Sequence, residues 1–176
     1  ETYLERYGAT GFLKPYANSR YAFAAILPPR GTMPEDYLVS LSGEEFLDLL
    51  RSGQKAEVYT AMPKFKVETA LVLNEALKRM GMTEAFGASA DFSALAGDSK
   101  GEIYLSSVLH KTFIQVDERG TKAGAVTAEM LCGTAAPDVS RPQPKYVTLD
   151  RPFVYAIVDT ENFLPLFLGT ISQLGQ

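Results

Sequence analysis

One cysteine, one histidine and no tryptophan occur among the 176 residues. With Cys132 alone, no internal disulfide forms and no multi-cysteine zinc site is built. With His110 alone, few routes remain to metal ligation or to a histidine-dependent triad. Positive charge is also scarce: 17 Lys and Arg stand against 21 Asp and Glu, a net charge of −4. That balance argues against nucleic acid as a partner, because its recognition rests on a basic patch. No apolar run approaches the roughly 18 residues of a membrane-spanning helix. The longest are Tyr21–Leu27 and Phe153–Val158, so no membrane partner is expected. The start has no signal-peptide pattern. Met33 is the first methionine, after an opening Glu1-Thr2-Tyr3, which reads as a processed or truncated chain.

What is present is a globular composition, 46% hydrophobic and 22% charged, at a length that suggests one domain. Phe12-Leu13 reads as strand. Tyr21–Leu27 reads as a strand buried on both faces, ended by Pro28-Pro29-Arg30-Gly31. Pro34 opens a short helix, Pro34–Val39. Ser42 with Glu45 forms a capping box for a second helix, which Gly53 closes. Ala56–Val67 is expected to be extended, with Pro63 marking an edge or a bend. Thr69 is read as the cap of a helix whose Leu71, Leu73, Leu77 and Met80 form a core stripe ending at Gly81. Residues 82–101 are mostly loop. Ile103–Asp117 is a long strand with Val108, His110, Thr112, Ile114 and Val116 on one face.

From Arg119 to about Lys145 the pattern stops. Ala, Gly, Thr and Pro dominate, closing on Arg141-Pro142-Gln143-Pro144. An irregular segment this long is usually functional. Two strands follow, Tyr146–Val158 (broken near Pro152) and Leu164–Ile171, around a polar turn at Asp159–Asn162. Asp117, Glu118, Asp150 and Asp159 show no paired-carboxylate arrangement.

Three stretches resemble a known family. Val108-Leu109-His110-Lys111-Thr112-Phe113-Ile114-Gln115-Val116-Asp117-Glu118-Arg119-Gly120-Thr121-Lys122-Ala123-Gly124-Ala125 is similar to the fifth strand of the serpin central sheet running into the hinge of the reactive-centre loop. Val147-Thr148-Leu149-Asp150-Arg151-Pro152-Phe153-Val154-Tyr155-Ala156-Ile157 resembles the serpin C-terminal signature. Met62-Pro63-Lys64-Phe65 and Phe163-Leu164-Pro165-Leu166-Phe167-Leu168-Gly169 add weaker matches. The correspondence runs in order through all 176 residues and is identified as the C-terminal half of a serpin domain, inhibitory type.

The resemblance implies an α+β serpin fold: small β-sheets, part of the central sheet A, a few helices and a long reactive-centre loop at about 119–145. It implies no enzyme and no cofactor, but a serine protease inhibitor acting as a suicide substrate. In such proteins the bait loop is cut, and its N-terminal part inserts as a strand into the central sheet. Glu118, Gly120, Thr121, Ala123, Gly124 and Ala125 would be the hinge. By alternation Thr121, Ala123, Ala125 and Thr127 turn inward, small enough to pass between strands, while Lys122, Gly124 and Val126 turn outward. The same parity turns Glu129 inward. By the family's spacing from the hinge glutamate, the resemblance implies a reactive bond at Thr134–Ala135, whose small neighbours suit an elastase-like or subtilisin-like protease. Arg141 is the rival, suited to a trypsin-like enzyme but followed by Pro142. His110 would be the shutter histidine, bonding across the sheet where strands part.

The implied partners are the target serine protease and the N-terminal half of the same domain. The implied location is extracellular or cell-surface. Two other readings stand beside this one. A non-inhibitory serpin serving as a binding or storage module would carry bulky or charged hinge residues, unlike Thr121–Ala125. A cysteine hydrolase using Cys132 and His110 would lose its activity on Cys132→Ala.

Overall fold

Residues 1–17, 19–96, 103–117 and 143–174 are described by the computed structural model. In chain order they form β1 (Thr2–Arg6), β2 (Ala9–Pro15), β3 (Tyr21–Leu27), α1 (Pro34–Ser40), α2 (Gly43–Arg51), β4 (Gln54–Lys55), β5 (Val58–Ala61), β6 (Phe65–Val72), α3 (Asn74–Arg79), α4 (Ser93–Ala96), β7 (Leu109–Val116), β8 (Lys145–Thr148), β9 (Phe153–Asp159) and β10 (Pro165–Ile171). The fold class is α+β, as the resemblance implies. Two units divide the chain: Glu1–Phe65 with Asp117–Gln176, and Lys66–Val116.

The first unit is organised by a six-stranded sheet in the order β10-β9-β3-β2-β1-β4. Its opening hairpin turns at Tyr7-Gly8, with φ of 51° and 74°, between the paired Arg6 and Ala9. Two successive positive φ values give the turn whose twist matches antiparallel strands. β1 itself was not anticipated from the sequence, because Thr2–Arg6 is too short and too polar at its end to stand out. β3 matches its expected span, pairing antiparallel with β2 on one edge and β9 on the other. Both its faces are covered, and Ala22 through Ile26 are 0–1% exposed. One face, with Ala22, Ala24 and Ile26, meets α1 and α2 through Tyr37, Phe46, Leu49 and Leu50. The other carries Phe23 beside Phe12, and Phe65, at the start of β6, packs edge-on to Phe153 of β9 at 5.8 Å.

α1 starts with Pro34 in its first turn, where the missing N–H costs nothing. Burial pushes the Tyr37 phenol up to about 12, with Tyr7 adding to the shift. α2 has the expected capping box: Glu45 N–H donates to Ser42 Oγ, and Ser42 N–H donates to Glu45 Oε2 at 2.8 Å. Gly53 follows α2, but not as a left-handed cap. Its value is space, since a Cβ there would strike Thr2 Cγ2 as the chain leaves the helix against β1.

Glu35 of α1 ties that helix to the end of β10. It accepts from Thr170 Oγ1 and Ser172 Oγ, each at 2.5 Å. The Ser172 bond, then the Thr170 bond, hold its carboxyl below the usual carboxylate range. A carboxylate with a depressed folded-state value contributes stability above its unfolded value of about 4.3, and loses it as pH falls through the folded value. Glu35→Gln is therefore expected to flatten the acid limb of melting temperature against pH below about pH 4. Parallel curves for the two proteins across that limb would rule the clasp out.

In the second unit β6 pairs with β7. Here the sequence expectation fails. Thr69 lies inside β6, not at a helix cap, and the helix is only Asn74–Arg79 with no buried residue. Leu71 is 50% and Met80 82% exposed, so the supposed stripe is not core among the described residues. The physical reason is local: Val67, Thr69 and Val72 are β-branched, and Phe65, Val67 and Thr69 alternate in burial with Lys66, Glu68 and Ala70. Gly81 does end α3 as expected, with φ of 100°. Gly81 N–H donates to Lys78 O and Met82 N–H to Leu77 O, the paired bonds of a glycine helix stop. The expected strand from Ile103 begins only at Leu109.

Candidate functional site

The strands on either side of the predicted loop in sequence are β7 and β8. β7 belongs to the second unit. Asn74 fastens its start: Val108 N–H donates to Asn74 Oδ1 at 2.8 Å, and Asn74 Nδ2 donates to Ser106 O at 2.9 Å. From Thr112 the expected alternation holds, with Thr112, Ile114 and Val116 more buried than Lys111, Phe113 and Gln115. Val116 is 3% exposed. His110 lies in β7 and is exposed. On the outward face the Lys66 ammonium stands 5.3 Å from the Phe113 ring centroid. An open depression along β6 and β7, lined by Glu68, Thr69, Ala70, Lys111, Thr112 and Phe113, has no buried charge to select a ligand.

β8 belongs to the first unit and follows Gln143-Pro144 directly. It pairs parallel with β5, Val58 opposite Lys145 through Ala61 opposite Thr148. Lys145 N–H donates to Glu57 O and Leu149 N–H to Ala61 O, each at 2.8 Å. Val147 and Leu149 point inward, at 2% and 3% exposure. The exposed residues of β8 make contacts of their own. Tyr146 stacks on Tyr59 with centroids 5.2 Å apart. Tyr59 Oη donates to Glu57 Oε1 at 2.7 Å, and that bond raises the Tyr59 phenol's pKa. The Lys145 ammonium sits 4.8 Å from the Tyr3 ring centroid and 3.9 Å from Glu5 Oε2. Tyr3's phenol is raised by burial first and Glu5 second.

Glu118, Gly120, Thr121, Ala123, Gly124, Ala125, Thr134 and Ala135 all lie outside the described residues, as do Cys132 and Arg141. Among the expected site residues, only His110 is placed. Tyr59, Lys145 and Tyr146 were not singled out from sequence. Their meeting depends on the parallel β5–β8 register, which no local pattern encodes. Among the described residues, no cluster of three His, Cys, Asp or Glu side chains suits a metal ion, and no helix is long and apolar enough to cross a membrane.

The geometry defines an α+β protein that carries a long segment between two anchored strands. The chain belongs to the serpin family: the family model described as "Serpin (serine protease inhibitor)" matches residues 6–174. The native-state crystal structure of tengpin, a thermophilic serpin, superposes with a TM-score of 0.80 at 44% identity, covering 98% of this chain and 44% of that one. Intracellular coagulation inhibitor 2 of Tachypleus tridentatus is 33% identical over 160 residues, 91% of this chain and 38% of that protein. Leukocyte elastase inhibitor A of Rattus norvegicus is 30% identical over 164 residues, 89% of this chain and 41% of that protein. The chain thus spans about two fifths of the length of these relatives and represents part of a serpin domain.

Proposed function

We propose that the complete polypeptide carrying this chain is a serine protease inhibitor that acts as a suicide substrate. The hinge sequence supports this most strongly: Thr121, Ala123 and Ala125 are small at alternate positions, directly after the anchored strand β7. The inhibitor names of two relatives add support. Thr134–Ala135 is the bond presented, between small residues that suit a protease with a shallow specificity pocket, elastase-like or subtilisin-like. Cleavage forms an acyl-enzyme. The freed segment from Gly120 onward then adds as a strand to the central sheet, and His110 acts where that sheet opens. The N-terminal half of the domain is the second partner. β10 closes one end of the six-stranded sheet with Leu166, Phe167 and Leu168 41–50% exposed, an apolar edge suited to a strand from the rest of the domain. The extracellular or cell-surface placement rests on the family resemblance alone, and one relative is named an intracellular inhibitor.

The test mixes the complete protein with elastase-like, subtilisin-like and trypsin-like proteases. The expected product is a covalent complex that survives denaturing electrophoresis, with a released C-terminal peptide beginning at Ala135. Clean cleavage without complex, and with no gain in thermal stability, overturns the inhibitory reading. A peptide beginning at Pro142 moves the bait bond to Arg141.

A further inference from the structure

We propose that Tyr59 and Tyr146 form an oxidative coupling site, at which a peroxidase-class oxidant joins the two rings as dityrosine. The inference is independent of the inhibitory reading, since it needs only the strands that carry the two rings.

The chain has nine tyrosines. Among the described residues one pair of them is stacked: Tyr59 and Tyr146, with centroids 5.2 Å apart and ring planes 18° apart. That separation falls in the usual range for offset aromatic stacking. The two residues are also direct partners in the parallel β5–β8 ladder, so the backbones hold the rings together. Such proximity turns the meeting of two radicals into a step within one molecule. Both rings can be reached from solvent, Tyr146 at 73% exposure and Tyr59 at 39%. A proton acceptor is already in place. Tyr59 Oη donates to Glu57 Oε1 at 2.7 Å, the length of a charge-assisted bond. That bond, with the Glu57 charge behind it, keeps the proton on the phenol and raises its pKa. A neutral phenol gives up an electron readily only if its proton leaves in the same step, and Glu57 stands where that proton goes.

The oxidant takes one electron from each ring. The Tyr59 proton passes to Glu57 and the Tyr146 proton to water, leaving two phenoxyl radicals. A bond then forms between one carbon ortho to each oxygen. Each of those carbons passes its hydrogen, as a proton, to its own ring oxygen, which restores the two phenols. Two electrons and two protons leave in all. Hydrogen peroxide accepts them and becomes two waters, and the chain is lighter by two hydrogens.

The experiment treats the complete polypeptide with a haem peroxidase and hydrogen peroxide, and maps the products by peptide mass spectrometry. The expected product is a monomeric chain whose Tyr59 and Tyr146 peptides are linked, two hydrogens lighter than their sum, with the blue fluorescence of dityrosine. Tyr59→Phe and Tyr146→Phe keep the ring contact but remove the coupling chemistry, so each is expected to abolish this link. Glu57→Gln leaves an acceptor that cannot take the proton. It is expected to form the link about tenfold more slowly, the worth of a charged over a neutral acceptor. A link that persists in either Phe variant overturns the proposal. So does coupling only between copies of the chain, or oxidation confined to exposed methionines such as Met80. Parental coupling in Glu57→Gln overturns the role given to Glu57.

Discussion

A complete polypeptide carrying Ala123→Arg is expected to be cut by its protease without holding it. In the proposed mechanism Ala123 turns into the sheet when the cleaved segment adds as a strand. A guanidinium there would be buried without a partner, at a cost of several kcal/mol. Taking about 3 kcal/mol of that into the barrier slows insertion roughly a hundredfold. Insertion competes with hydrolysis of the acyl-enzyme, so a delay of that size lets water win. Denaturing gels should show cleaved inhibitor and free, active protease in place of the covalent complex. Lys122→Arg is the control, because Lys122 turns outward in the same alternation and should leave complex yield unchanged. Complex formed by Ala123→Arg at the parental yield would show that the segment does not insert with this parity. Loss of complex in Lys122→Arg would show the same.

The second large effect is expected at Phe23. Its ring is fully buried on the face of β3 opposite the helices, 6.5 Å from the Phe12 ring centroid. β3 is held on both edges, by β2 and β9, so the backbone cannot close around a lost ring. Phe23→Ala should therefore leave most of its cavity open and cost about 3–5 kcal/mol. Against a total stability of about 5–15 kcal/mol that is a large fraction. A lower urea midpoint at unchanged slope is the expected reading in the complete protein. A loss below about 1 kcal/mol would mean that the faces of this sheet repack freely around the lost ring.

The parts of the fold legible in sequence were those with strong local chemistry. Tyr21–Leu27 was recognisable as a doubly buried strand because its apolar run is unbroken and ends in two prolines. α2 announced itself through Ser42 and Glu45, and α3 announced its end through Gly81. Thr69 misled because leucines at 71, 73 and 77 imitate a helical stripe, while the β-branched residues between 67 and 72 decide for strand. The hinge and bait bond were assigned from sequence alone, and His110 is the one member of that set whose place in a strand is seen.

By itself the sequence determined the family and the alternation of small residues at Thr121, Ala123 and Ala125, because these depend on residue type and order along the chain. Tertiary structure alone decided that Lys145 and Tyr146 meet Tyr3, Glu5 and Tyr59. Those partners lie far away in the chain: the parallel register sets Tyr146 opposite Tyr59, and Lys145 reaches Tyr3 and Glu5 on β1. Composition and period do not carry that information; it arises only when β8 is laid beside β5 and brought to β1.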